Sequence, residues 1–312
     1  MPRVIPTETT EAIDLGDLVE MLETGSFDPR DEDNFASWGP ALKKLANNRA
    51  FLGDIILKEL ESRCGNQIET NRYTPQVILL HAGSTNFIIR ANIWPALGDS
   101  MVRDSGTDPF FYGKAHDHNF SFLTVGYMGP GYWSEYYEYD YANVAGYVGE
   151  KVNLRYIEKS KLDEGKVMLY RIHRDVHLQL PADEMSVSLN IMEAGACTHF
   201  LDQYRFDIEN SEITACVTRT ATEALLSLSA QIGGEEGKAL VEDFAARHPH
   251  DQIRFHAIRS RASTMEKLDD RIALFERATR SDNRFISAMA KREAEKLEKG
   301  RAWLSGEHLK VA

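Results

Sequence analysis

The sequence predicts an α+β protein in which an antiparallel β-barrel or sandwich lies between two helical regions. The middle of the chain, roughly 70–217, is rich in aromatic and β-branched residues and is punctuated by Gly and Pro, as short strands are. Both ends instead carry apolar residues at helical spacing. We therefore expect an N-terminal helical segment (1–69), a β-barrel (70–217) and a C-terminal helical region (218–312).

Composition excludes several classes of protein. The 312 residues include 36 Lys or Arg and 48 Asp or Glu, a net charge of −12, which disfavours nucleic acid and anionic membrane surfaces as partners. The first 217 residues hold −14 of this charge, and the remainder is +2. Cys64, Cys197 and Cys216 are too scattered for a disulfide framework. Without a secretory signal or an apolar run of ~18 residues, we expect a cytoplasmic protein.

The N-terminal segment offers two helices. The first runs from Thr10 to Glu23, with an apolar stripe that includes Leu15, Leu18 and Leu22. Pro40 suits the first turn of a second, longer helix that ends by Gly65. Such stripes are typical of packing faces.

The middle region contains many short runs that read as strands. In the run from Asn86 to Trp94, strict alternation places Arg90, Asn92 and Trp94 on one face. Many short strands that follow one another along the chain indicate an antiparallel sandwich or barrel. The predicted strands cover 76–81, 86–94, 120–127, 132–139, 152–157, 167–172, 176–180 and 185–192.

The C-terminal region is predicted to be helical. We expect helices over 222–232, 237–248, 264–280 and 282–299. The last one is dominated by charge, so it is expected to face solvent or a partner, and a homodimer is the expected assembly. His199, His248, His250 and His256 lie outside the predicted strands and are interpreted as surface or core residues, and Cys197 as a small buried apolar residue.

Two histidine groups in the β region point to a metal site. His116 and His118 are two residues apart, so in a strand they face the same side about 7 Å apart. Two imidazoles placed in this way can take cis positions on one metal ion. The third ligand would come from a later strand, either His177 or His173. His177 is favoured because it begins a strand that folds back onto the next, and His173 is the alternative.

Four polar residues are expected to bind substrate: Arg90, Asn119, Gln179 and Asn190. Arg90 lies in the middle of an apolar strand, where an arginine is either a buried carboxylate clamp or an exposed strand residue. The three amides can offer hydrogen bonds around the metal and its substrate.

The motif His116-Asp117-His118, the later His177 and Val187-Ser188-Leu189 resemble the cysteine-dioxygenase-like thiol dioxygenases of the cupin superfamily. The resemblance covers roughly 70–195 and implies a cupin-type double-stranded β-helix, or jelly roll, with a three-histidine site. Phe122 and Leu123 stand where many cupins place a glutamate ligand. Met192 stands where a tyrosine assists the chemistry of that family, so this residue role is missing.

The predicted function is a mononuclear non-heme metal oxygenase that uses O₂ and a small polar substrate, either amino-acid-like or a carboxylate. The resemblance implies Fe(II), with Zn, Ni and Mn as the alternative metals. Two other functions stay open. One is a non-catalytic cupin module with a helical oligomerisation region, and the other is a Zn-dependent hydrolase or isomerase.

Overall fold

The computed structural model describes residues 1–304, except residues 85, 196, 197, 199 and 219. Cys197 and His199 therefore lie outside the described residues. The chain divides into two compact units, each described by itself below. The first comprises Met1–Ala142, Val152–Thr198 and Gln203–Ser211, and the second comprises Asn143–Lys151, His199–Asp202 and Glu212–Ala312.

Most strands of the first unit form two antiparallel sheets. Within the described residues its strands are β1 (Arg3–Ile5), β2 (Val77–His81), β3 (Phe87–Trp94), β4 (Phe122–Met128), β5 (Trp133–Glu138), β6 (Arg155–Lys161), β7 (Val167–Tyr170), β8 (Asp175–Gln179), β9 (Ser186–Glu193) and β10 (Tyr204–Asp207). The larger sheet has the order β1-β7-β4-β9-β3-β2, and the smaller has the order β6-β5-β8. An isolated bridge between His116 and His177 extends the smaller sheet beyond β8.

This strand order is that of a jelly roll. After β3 the chain passes repeatedly from one sheet to the other, through the His116 segment, β4, β5–β6, β7, β8 and β9, so β3, β9, β4 and β7 are neighbours in one sheet. The His116 segment, β8, β5 and β6 are neighbours in the other. Such alternation is how two sheets close around one interior in cupin-type folds. The predicted α+β class, with a cupin-type jelly roll and helices at both ends of the chain, is confirmed.

Helices cover the outer face of the larger sheet. Those of the first unit are α1 (Leu15–Thr24), α2 (Glu32–Ser37), α3 (Gly39–Asn47), α4 (Phe51–Glu61), α5 (Gly65–Thr70) and α6 (Ser100–Ser105). The single long helix predicted from Pro40 to Gly65 is wrong. Asn48 is extended after α3, and its side-chain oxygen accepts hydrogen bonds from the backbone N–H groups of Ala50 and Phe51. Asparagine competes with helical hydrogen bonds in this way and starts a new helix.

The alternation of the strands sends one set of side chains to the helices and the other to the interior. Ile89, Leu123 and Leu189 are fully buried in one core with Leu18 and Leu42 of the helices. The intervening side chains of β3, β4 and β9 point inward, between the two sheets. The helices thus seal the back of the sheet that carries Arg90, so its opposite face is free to form a cavity.

Gly126 makes the close approach of β4 to the turn 163–166 possible. A Cβ built there would collide with the backbone carbonyl oxygen of Asp163, which cannot move as a flexible side chain would. We therefore expect Gly126→Ala to lower the free energy of unfolding by about 3 kcal/mol. The matched control is Gly98→Ala, because a methyl group there meets no atom within 4 Å. Urea denaturation of both variants checks this, and equal effects would contradict it.

The second unit is mainly helical. It contains β11 (Glu212–Cys216), α7 (Thr222–Ile232), α8 (Gly234–Arg247), α9 (Asp251–Ser263), α10 (Leu268–Ala278), α11 (Arg284–Lys299) and α12 (Arg301–Leu304). The sequence prediction missed α9, whose buried residues Ile253, Phe255 and Ala257 are two apart and show no simple helical stripe. Within the described residues, none of the helices combines the length and apolar character that crossing a bilayer requires.

Candidate metal centre

Backbone pairing brings the two histidine groups of the sequence together. The N–H of His116 donates to the carbonyl of His177 at 3.1 Å, and the N–H of His177 donates back to the carbonyl of His116 at 3.0 Å. His118 follows two residues after His116 and turns its ring to the same side. The three side chains are all buried. The sequence spacing and one strand pairing therefore suffice to gather three imidazoles.

The three Nε2 atoms converge on one point. Nε2 of His177 lies 3.0 Å from Nε2 of His118 and 3.2 Å from Nε2 of His116. Two nitrogens bound cis to one ion at about 2.1 Å each are separated by roughly 3.0 Å. The observed separations match that value, so the donor set fits a single metal ion held on one face. Within the described residues, no other group of His, Cys, Asp and Glu side chains is clustered for metal binding.

The protonation of the rings also suits a metal. Burial lowers the pKa of His116 to about 4, and it lowers the pKa of His118 and His177 well below the usual value. All three rings are therefore neutral near pH 7, as metal ligands must be. Nδ1 of His116 donates to the carbonyl of Lys114 at 2.8 Å, which leaves Nε2 with its lone pair toward the centre.

His173, the alternative third ligand, lies elsewhere. Its ring stacks on that of Tyr141 with 3.7 Å between the ring centroids and an interplanar angle of 2°. Its backbone has a positive φ of 55°, in the turn before β8. The structure thus brings His177, not His173, to His116 and His118.

A cavity of about 310 Å³ opens beside the three histidines. Its wall combines aromatic rings with a few amide groups and one interior cation. The lining residues are Arg72, Tyr73, Thr74, Gln76, Val77, Arg90, Asn92, Trp94, Phe111, His116, His118, Phe120, Phe122, Tyr132, His177, Gln179, Asn190 and Gln203. In size and character it matches a site for a small molecule.

Three of the four predicted substrate-binding residues line this cavity: Arg90, Gln179 and Asn190. Arg90 and Asn190 are direct partners across β3 and β9. The structure does not bring Asn119 to the cavity, because its side-chain amide instead donates to the carbonyl of Thr198 at 2.8 Å. Asn119 follows His118 by one residue, so its side chain leaves the chain on the opposite side.

Arg90 is a half-buried cation without a carboxylate partner. Its Nε is buried and has no hydrogen-bond partner, and no carboxylate among the described residues forms an ion pair with it. Its guanidinium lies over the ring of Tyr73, 5.0 Å from the centroid. Burial lowers the pKa of Arg90, although an arginine stays charged at neutral pH even so. A half-buried cation that faces a cavity and has no carboxylate partner suits an anionic ligand.

Sequence reasoning missed several residues of the cavity. Tyr73 lies in the irregular stretch after α5, and Gln203 lies just before β10, so no periodic pattern singles them out. Tyr132 belongs to an aromatic run that reads equally well as core. Asn92 and Trp94 were placed on the face of Arg90, and this alternation was the available signal for their role.

No protein-family model matches the sequence, and no curated protein matches it at a significant level. Some solved structures are similar at low scores. The hydroquinone 1,2-dioxygenase of Sphingomonas sp. TTNP3, with 4-hydroxybenzoate bound, is 9% identical, with 42% of this chain and 72% of that chain covered and a TM-score of 0.28. A salicylate 1,2-dioxygenase variant from Pseudoaminobacter salicylatoxidans is 9% identical, with 45% of this chain and 33% of that chain covered and a TM-score of 0.26.

The DMSP lyase DddQ of Ruegeria pomeroyi DSS-3 is 12% identical, with 63% of this chain and 78% of that chain covered and a TM-score of 0.24. Identities and scores this low assign neither a substrate nor an activity to this chain. The fold assignment therefore rests on the strand order, and the functional argument rests on the three histidines and their cavity.

Proposed function

We propose that this protein is a mononuclear non-heme metal oxygenase that acts on a small carboxylate-bearing metabolite with O₂. The observation that carries the proposal is the convergence of His116, His118 and His177 on the wall of a cavity that contains the unpaired Arg90. Fe(II) is the proposed metal, although the same ligands also suit Zn, Ni and Mn. The cysteine-dioxygenase-like resemblance, the homodimer and the cytoplasmic location remain predictions.

The metal would contribute open coordination positions. Three imidazoles on one face leave about three positions of a six-coordinate ion, so a bound Fe(II) can hold a substrate next to O₂ and supply electrons. The protein's own residues must then hold the substrate and keep water away from it.

The chain offers a group for each of these tasks. In this proposal Arg90 binds the substrate carboxylate, and the amide groups of Gln179 and Asn190 orient its polar substituents, since all three residues line the cavity. Phe120 and Phe122 flank His118, with ring centroids 5.0 Å and 4.9 Å from its own, and they exclude water from that side. The hydrogen bond from His116 to Lys114 keeps that ligand in the tautomer that binds metal.

Metal analysis combined with O₂ uptake tests the proposal. We expect protein purified without oxygen to contain about one Fe(II) per chain. We also expect O₂ consumption when small carboxylates are added, measured with an oxygen electrode. Activity with Zn alone and no O₂ uptake would favour a hydrolase or isomerase. Metal-loaded protein that is inert with every carboxylate and amino acid tried would favour a non-catalytic cupin module.

A further inference from the structure

The size of the cavity limits what can bind beside the histidines. Its volume is about 310 Å³. An apolar cavity of about 150 Å³ already holds benzene, and sites for drug-sized molecules begin near 300 Å³. The space therefore accommodates a small molecule, such as one ring with one or two substituents, and it is too small for a folded peptide segment.

Six aromatic side chains, apart from the histidines, line the cavity. The aromatic lining residues are Tyr73, Trp94, Phe111, Phe120, Phe122 and Tyr132. Trp94 and Tyr132 are stacked on each other with 3.9 Å between ring centroids, so each ring holds the other in a fixed position. Flat, rigid faces of this kind select planar rings through stacked and edge-on contacts. A flexible aliphatic chain would gain less from them.

The charges of the wall are of one sign. Arg90 lies in the interior and Arg72 is exposed, while the described lining contains no Asp or Glu. Any metal at the histidines adds further positive charge. An ammonium group inside this cavity would therefore lose its water without meeting a counter-charge, which strongly disfavours it. A carboxylate, in contrast, would satisfy Arg90.

The remaining polar groups of the wall are neutral amides. Oδ1 of Asn92 and Oε1 of Gln179 are buried and have no hydrogen-bond partner among the described residues. Buried amide groups are nearly always paired in folded proteins, so a ligand is expected to supply the missing partners. Both atoms are acceptors, so a ligand would satisfy them with a hydroxyl or an N–H group.

We infer that the ligand of this cavity is a single-ring aromatic carboxylate that carries no ammonium group. The inference rests on the proposed function only for the reaction that follows binding. It narrows the expected substrate class, because it excludes the amino-acid-like compounds that the sequence left open. Arg90 binds the carboxylate, and the ring lies between the aromatic side chains.

Four matched ligands test this with the full chain in calorimetric titrations. Phenylacetate has both features, phenylglycine adds the ammonium group, phenylacetamide lacks the charge, and cyclohexylacetate lacks the flat ring. We expect phenylacetate to bind at least about tenfold more tightly than each of the other three. Equal or tighter binding of phenylglycine, or no binding of phenylacetate at millimolar concentration, would overturn the inference.

Variants then locate the binding group. Arg90→Gln is expected to weaken phenylacetate binding at least about tenfold and to leave phenylacetamide unchanged, with Arg90→Lys intermediate. The control Arg155→Gln removes an exposed arginine of β6, paired with Glu138, and is expected to bind like the unmodified protein. Unchanged phenylacetate affinity in Arg90→Gln would overturn the assignment. The ligand series on the unmodified protein remains decisive if a variant does not fold.

Metal content and O₂ uptake of the same samples separate this inference from the proposed function. Aromatic carboxylate binding without any O₂ uptake would contradict the oxygenase and retain the inference. O₂ uptake with an aliphatic amino acid, in protein that binds no phenylacetate, would retain the oxygenase and overturn the inference.

Discussion

His177→Ala is expected to lose the bound metal, whereas His173→Asn is expected to keep it. Nε2 of His177 lies 3.0 Å from that of His118 and 3.2 Å from that of His116, and without His177 only two donors remain. Loss of a group that only orients a metal-binding side chain already lowers metal affinity about 10–100-fold. Loss of the metal-binding side chain itself is therefore expected to lower metal affinity more than about 100-fold. Competition with a metal chelator measures the two affinities.

The control variant, His173→Asn, suits the backbone conformation at that position. His173 has a positive φ, which asparagine tolerates better than most residues, so His173→Asn removes the ring without straining the turn. His177→Gln is a companion to the alanine variant, because it fills most of the buried volume. Urea denaturation shows whether each variant is folded. Metal loss in His173→Asn, or full retention in both His177 variants, would contradict the assignment.

The core of the site could be predicted because it depends on strand periodicity. The spacing of His116 and His118 sets their common side, and the same alternation places Arg90 with Asn92 and Trp94. Asn119 shows the limit of the approach. Its polarity beside the histidines suggests a role in the site, but a residue one step from His118 in an extended chain points to the opposite side.

The other residues of the site lie in irregular segments, whose course is not indicated by any local sequence pattern. Tyr73 and Gln203 reach the cavity from irregular stretches, more than 100 residues apart in the sequence. Their positions follow from how the jelly roll closes, which the chain specifies only through many weak contacts. The helix break at Asn48 is a similar case, since its capping role competes with a strong apolar stripe on both sides.

Asp117→Ala is expected to lower the free energy of unfolding by about 3 kcal/mol, because two buried hydrogen-bond donors lose their acceptor. The carboxylate is fully buried and accepts hydrogen bonds from the Tyr139 hydroxyl and from the backbone N–H of Tyr204, both at 2.6 Å. Burial and the neighbouring Asp117 carboxylate raise the pKa of Tyr139, so this hydroxyl stays a donor. The variant would leave both donors buried without this acceptor.

Asp117→Asn keeps one acceptor oxygen and is therefore expected to lose about half as much stability. Asp163→Ala, at an exposed acid 3.8 Å from Lys161, is the control and is expected to change stability by less than about 0.5 kcal/mol. Urea denaturation gives these values, and a chelator titration gives the metal affinity. Because Asp117 lies between His116 and His118, Asp117→Ala is also expected to weaken metal binding about 10–100-fold. Lost stability with unchanged metal affinity would mean that strand pairing alone orients the two histidines.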